Sequence, residues 1–183
     1  MTNAPPPALA CPRSLSRQGY ALRDERDDDT AFLQILYAST RADEIVAIDA
    51  WTASQAGAFL NQQYAAQRHH YQTQIGPCRF LVIDRHGEPV GRLYHATRQT
   101  QLRVVDIALM PAEQGMGVGT SLIEAVIEMA NAAEKCVGIF VDKGSRALDL
   151  YRRLGFEPIG ETAMHIEMER AVGPPVSRTQ PRS

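Results

Sequence analysis

The chain has 183 residues, with 19 lysines and arginines against 21 aspartates and glutamates, a formal net charge of −2 and 44% hydrophobic residues. That length fits one domain whose core is large enough to stand without metal or disulfide staples. The near balance of charge argues against general binding to nucleic acid or anionic membranes, and no apolar run approaches the ~18 residues of a membrane-crossing helix.

Cys11, Cys78 and Cys136 are odd in number, widely spaced and form no Cys-x-x-Cys pair. Neither a disulfide framework nor a metal site is expected, and a reduced, cytoplasmic setting is the simplest reading. Pro5, Pro6 and Pro7 stand where a secretory signal needs an apolar segment. Residues 1–18 read as a disordered leader and 19–170 as a single domain. Residues 171–183 (AVGPPVSRTQPRS) read as a disordered tail.

Tyr20 to Arg23 opens the domain as a short strand and runs into the cluster Asp24, Glu25, Arg26, Asp27, Asp28, Asp29, which suits the positive end of a following helix. That helix carries Phe32, Ile35 and Leu36 at helical spacing and ends before Ile45. A second helix runs from near Thr52 to about Gln72, with Phe59, Leu60, Gln63, Tyr64 and Gln67 repeating every three to four positions. The period then changes. Arg79 to Asp84 (RFLVID) predicts a strand, His86-Gly87-Glu88 its turn, and Pro89 to His95 (PVGRLYH) the returning strand. Leu102 to Met110 (LRVVDIALM) is apolar enough for a central strand, closed by Pro111, which offers no ladder donor. After a glycine-rich turn, a helix sets Val118, Leu122, Val126 and Met129 on one stripe, with Glu124 and Glu128 opposite. Val137 to Val141 (VGIFV) predicts a buried strand. Ser145 to Leu154 predicts a short helix closed by Gly155, and Met164 to Met168 a final strand. The order β, α, α, β, β, β, α, β, α, β is that of an α+β fold: an antiparallel sheet passing into a strand–helix–strand crossover.

The segment Glu113-Gln114-Gly115-Met116-Gly117-Val118-Gly119-Thr120 joins a strand to a helix. Glycines at 115, 117 and 119 admit conformations closed to other residues and let a ligand approach the backbone. The N–H groups there are the unsatisfied donors of a helix start, so the corner suits a phosphate and, better, a diphosphate. A flexible turn with glycines for tight packing is the bland alternative. No Gly-Lys-Ser/Thr ending follows, which excludes a nucleoside-triphosphate loop. A dinucleotide fingerprint fails at Thr120, where its third glycine belongs, although Asp142 ends the next strand at about the distance of a ribose-binding carboxylate. Five residues, Met110 to Gln114, also separate the strand from the first glycine.

Gln114-x-x-Gly117-x-Gly119 after an apolar strand, followed by helix, strand and Ala147-x-x-Leu150-Tyr151-Arg152-Arg153-Leu154-Gly155-Phe156, resembles the GNAT superfamily of acyl-CoA-dependent N-acetyltransferases. The likeness covers Phe80 to about Met168 and reaches back to Tyr20 in element order. It implies a mixed, mostly antiparallel central sheet flanked by helices, with a β-α-β crossover that binds CoA. It also implies that the amides of Gln114, Gly115, Met116, Gly117, Val118, Gly119 and Thr120 cradle the CoA pyrophosphate, and that the pantetheine arm pairs with Ile107 and Leu109. The Leu109 N–H would face the thioester oxygen, where a donor is worth about 3 kcal/mol if oxyanion-hole magnitudes transfer. Tyr151 matches the family's general acid, which protonates the leaving thiolate. Ala147, Leu150, Tyr151 and Leu154 also form one helical stripe, on which Tyr151 is a core aromatic.

The general base is where the pattern lapses. Family members often carry Glu or His at positions that here hold Val105 and Arg103. Asp106 is the one carboxylate of the strand, a weak base candidate that points away from Leu109 by the period of two. A water chain to bulk is the alternative. Gly144-Ser145 stands where the family often has Asn, and Ser145 reads as an N-cap with a CoA contact open. Trp51, Tyr64, His69, His70, Tyr71, Tyr94 and His95 are candidates for the acceptor pocket. The Asp24–Asp29 run is either a solvated face or an attraction for a cationic acceptor. No metal site at His69, His70 and His95 is expected, because no acidic or cysteine ligand accompanies them.

The expected activity is transfer of an acetyl group from acetyl-CoA to a primary amine of a small molecule or peptide, by direct attack in a ternary complex, in a monomer or homodimer. A non-catalytic CoA-binding module and a nicotinamide-dinucleotide protein stand as alternatives.

Overall fold

The structure, a computed structural model, describes residues 6–41 and 51–173. The described elements are α1 (Arg13–Ser16), β1 (Tyr20–Asp24), α2 (Thr30–Thr40), α3 (Ala53–Gln74), β2 (Cys78–Arg85), β3 (Glu88–Thr97), β4 (Gln101–Leu109), α4 (Val118–Ala132), β5 (Cys136–Asp142), α5 (Ala147–Arg153), β6 (Glu157–Glu161) and β7 (His165–Arg170). They build one seven-stranded sheet in the order β1-β2-β3-β4-β5-β7-β6. Only β4 and β5 run parallel. A parallel pair needs a crossover, and α4 supplies it. The β2–β3 hairpin closes through His86 and Gly87, both at positive φ (53° and 88°), the conformation that keeps a two-residue turn in step with strand twist.

Each face of the sheet has its own cover. On one side Leu122, Ile123, Val126 and Ile127 of α4 are fully buried in a cluster with Leu102 and Val104 of β4 and Val137, Ile139 and Val141 of β5. Burial of each such side chain contributes about 1.5–3 kcal/mol. On the other side Leu33, Leu36 and Tyr37 of α2 and Tyr64 of α3 pack with Ala108 of β4. Helix α3 begins with a capping box: Thr52 accepts from the Gln55 N–H, and the Gln55 side chain accepts from the Thr52 N–H.

Four expectations are corrected. Residues 6–18 are not a loose leader: Arg13–Ser16 is helical, and Leu9 and Leu15 are buried in the α4 cluster. Two leucines six positions apart leave no period to read. Glu157–Glu161 is a strand although all five residues are exposed. With no apolar alternation to mark it, it exists through its ladder to β7. On α2 the core stripe is Leu33, Leu36 and Tyr37, while Ile35 is 60% exposed. Phe59 of α3 is likewise exposed, and Tyr64 is the buried residue. The expected helix end before Ile45, the first five residues and most of the expected tail lie outside the described residues.

The fourth correction concerns β4. Tyr94 pairs with Asp106 but His95 pairs with Val104, so Val105 is skipped as a bulge. A strict period of two would put Leu102, Val104, Asp106 and Ala108 on one face. The extra residue breaks that alternation. Leu102, Val104, Ile107 and Leu109 all meet the α4 cluster, and Asp106 and Ala108 are carried to the α2–α3 side, where Ala108 packs.

Candidate active site

Strands β4 and β5 pair only from Gln101–Cys136 to Val104–Ile139. Beyond the bulge they part. Ladder parity decides what β4 presents there. The Met110 N–H donates to Val90 O at 2.9 Å, so Leu109–Gly91 and, two residues earlier, Ile107–Leu93 are the non-bonded pairs. The N–H and C=O groups of Ile107 and Leu109 therefore face away from β3, toward the gap. The Leu109 carbonyl accepts from Gln114 Nε2 at 2.8 Å, which ties the end of the strand to the start of the glycine turn.

That turn is anchored from below. Buried Glu113, in the short turn Pro111–Glu113, accepts from the Tyr20 hydroxyl and from Arg85 Nη1 at 3.2 Å. These donors hold its carboxyl below the usual range, the Tyr20 hydrogen bond first, while burial and Glu113 raise the Tyr20 phenol. Gly115 and Gly117 follow at φ 75° and 80°. A Cβ added at either meets nothing within 4 Å, so backbone conformation alone requires glycine and the outer surface of the turn is open. Among the described residues the N–H groups of residues 115–120 donate to nothing. The Gln114 N–H, expected in the same row, donates instead to Pro111 O at 3.2 Å. With Gly117 as a capless N-cap, six consecutive amides and a helix dipole remain for an anion. The turn fits a diphosphate.

Tyr151 is 4% exposed and meets Phe156 edge to face at 5.5 Å. Its hydroxyl has no hydrogen-bond partner among the described residues. Burial, then the negative charge of Asp106, push its pKa well above the ordinary phenol value, so it carries its proton at neutral pH. Tyr151 is thus both a member of the core stripe and a protonated donor without a partner.

Asp106 is pinned. Arg92 Nη2 donates to its Oδ2 at 2.7 Å, and the Tyr71 hydroxyl to the same oxygen at 3.1 Å. Arg92 is 3% exposed and also donates to Gln67 Oε1 at 3.0 Å. Sequence reasoning missed Arg92 because its partner lies 14 residues away on a neighbouring strand, behind a bulge. Burial and Asp106 raise the Tyr71 phenol.

These groups wall a cleft of about 690 Å³ between α2, α3 and the parted strands, reached by Arg41, His70, Tyr71, Asp106, Ile107 and Ser145. The other acceptor candidates fall elsewhere. Tyr64 packs at a tilt against Tyr37 in the core, Tyr94 donates to Glu25 Oε2 at 2.6 Å, Trp51 packs on Phe59 and His69 is exposed. His95 is fully buried with neither ring nitrogen bonded; burial and Arg79 push its pKa down to about 4. Glu25, of the expected acidic patch, accepts from Tyr94, and Asp29 is buried against Arg23. Ser145 Oγ accepts from the Ala147 N–H at 3.1 Å, but Arg146 holds the N-cap position. No metal-binding cluster of His, Cys, Asp or Glu occurs among the described residues, nor does any helix long and apolar enough to cross a membrane.

A profile of the Acetyltransferase (GNAT) family matches residues 42–156. Among solved structures, the chain resembles PaiA N-acetyltransferase from Thermoplasma acidophilum in complex with coenzyme A, at 14% identity over 83% of this chain and 98% of that one, with a TM-score of 0.62. It resembles Ard1 from Thermoplasma volcanium at 16% identity, over 85% and 99% of the two chains, with a TM-score of 0.56. It also resembles histone acetyltransferase HPA2 and related acetyltransferase from Corynebacterium glutamicum at 18% identity, over 86% and 98%, with a TM-score of 0.58. Likeness at these identities is one of fold. With the profile spanning more than half of the sequence, the chain belongs to the GNAT family of acetyltransferases.

Proposed function

We propose that this protein transfers an acetyl group from acetyl-CoA to a primary amine by direct attack in a ternary complex. The observation that carries this reading is the meeting of two rows of free backbone donors: the amides of residues 115–120 and, on the β4 edge beyond its pairing with β5, the N–H groups of Ile107 and Leu109. The first suits a diphosphate and the second an extended amide-bearing arm. Acetyl-CoA supplies the activated thioester.

The protein's part is positioning and charge stabilisation. Leu109, the sequence's choice for the oxyanion donor, is tied to the turn by Gln114, whereas Ile107 lines the cleft. An arm leaving the turn passes Leu109 first, so we assign the donor to the Ile107 N–H, with Leu109 pairing along the arm. Tyr151 donates its proton to the leaving thiolate. Transfer from a raised phenol to a thiol of ordinary pKa about 8.5 is uphill, which sets its contribution near the low end of general acid catalysis, about a hundredfold or less. Asp106 is committed to Arg92 and Tyr71, so it positions the cleft wall, and the amine proton leaves through water. In this reading the catalytic unit is the single domain of residues 19–170, with residues 6–18 packed onto it.

Free-thiol release from acetyl-CoA across a panel of primary amines tests the proposal. Amine-dependent release supports it. Saturable CoA binding with no release for any amine supports instead a CoA-binding module, the reading that Arg103 and Val105 at the usual base positions keep alive.

A further inference from the structure

Among the described residues, several charged groups around the cleft are engaged with one another. Asp106 is held by Arg92 at 2.7 Å, and His165 Nε2 lies 3.0 Å from Asp142. Arg103 lines the same cleft, half-buried, and makes no hydrogen bond or ion pair among the described residues. Its guanidinium lies 4.1 Å from the centre of the Phe140 ring, and Phe140 is 39% exposed in the same opening. Glu167 acts on Arg103 at a distance, but burial and the like charge of Arg98 outweigh it and lower the Arg103 pKa. A cation partly stripped of water, with no counter-ion in bonding contact, is unfavourable. An anion brought by a ligand removes that penalty. A guanidinium fork, oriented by an aromatic face, is matched to a carboxylate or phosphate.

Arg103 stands four residues before Ile107, so with the bulge its backbone is roughly 10 Å further along β4. The cleft volume falls in the range of small-molecule pockets. We propose that Arg103 and Phe140 form an anion subsite in the acceptor pocket, and that the acceptor is a small amine that also carries a carboxylate or phosphate. This rests on the acetyl-transfer reading and names the substrate class of that site.

Two readouts test it, both on the full chain saturated with CoA or acetyl-CoA. The first is calorimetric binding of inorganic phosphate and of acetate to wild type, Arg103→Gln and Arg103→Lys, with the CoA turn filled. The second is the ratio of kcat/KM values within matched amine pairs, an amino acid against its amide and phosphoethanolamine against ethanolamine. Wild type is expected to bind the anion and prefer the anionic amine at least tenfold. In Arg103→Gln binding falls at least tenfold and the ratio collapses toward one, while Arg103→Lys keeps part of both. Equal anion binding in wild type and Arg103→Gln, or a wild-type preference for the neutral amines, overturns the subsite. Anion binding that depends on Arg103, with no amine of either kind acetylated, leaves the subsite standing and overturns the acetyl-transfer reading.

Discussion

Replacement of Asp106 by Asn separates a positioning carboxylate from a catalytic base. The change removes the partner of Arg92, which is 3% exposed and keeps only Gln67 Oε1 and the Tyr94 ring. Breaking one side of a buried pair costs about 3–5 kcal/mol. Asp106 retains 14% side-chain exposure, and Asn offers one oxygen to the same donor, so the lower end applies. For a chain of this length about 3 kcal/mol lowers Tm by roughly 6–12 °C. A Leu at 106 combined with Met at 92 is expected to recover part of that loss, because no charge is then left buried alone. Turnover, measured below the transition as thiol release at saturating acetyl-CoA, is expected to stay within about fivefold of wild type. A base would cost 10² to 10⁴ in kcat, by the usual yield of proton transfer, and would erase the acidic limb of the pH profile. The Tyr151 phenol meanwhile loses one of the two causes that raise it, so any alkaline limb that it sets moves to lower pH. An Asp106→Asn protein with unchanged Tm and a hundredfold lower kcat refutes the positioning role.

Tyr151→Phe keeps the ring contact with Phe156, so Tm changes by only a few degrees while kcat falls at least tenfold; steady-state rates at saturating acetyl-CoA check it, and an unchanged kcat removes Tyr151 from the mechanism. Tyr20→Phe deprives buried Glu113 of its phenol donor. A hydrogen bond to a charged group contributes about 1.5–3 kcal/mol, and because the loss loosens the turn, the KM for acetyl-CoA is expected to rise about tenfold with kcat nearly constant. An equal fall in kcat at saturation argues against anchoring. His95 makes stability pH-dependent: its folded pKa of about 4 lies below the ordinary ~6.5, so the unfolded chain binds the extra proton between these values. The contribution is complete above pH ~6.5 and is lost as pH falls toward 4, roughly 3 kcal/mol in all. Urea midpoints at pH 4.5 and 7 are expected to differ less in His95→Leu, and an identical slope sinks the assignment. Gly117→Ala places a Cβ at φ 80°, which costs about 1–2 kcal/mol and re-aims the free amides; CoA affinity by calorimetry is expected to fall, and unaltered affinity counts against the turn as the diphosphate site.

The sequence alone determined what local chemistry decides. Alternation and turn residues marked six of the strands, the Val118, Leu122 and Val126 stripe marked the crossover helix, and three alternating glycines marked the strand-to-helix corner where the amides of residues 115–120 are left without acceptors among the described residues. These signals are local: each needs only residues a few positions apart. Tertiary structure decided everything that depends on register and on distance along the chain. The Val105 bulge, which moves Asp106 to the face of Arg92, follows from pairing with β3. No pattern within β4 announces it. Glu113 finds Tyr20 across 93 positions, and Leu9 and Leu15 become core only because α4 lies above them. Arg103 reads in sequence as a missing base. Only the folded sheet sets its guanidinium over the Phe140 ring, beside the cleft and without a hydrogen bond or ion pair among the described residues.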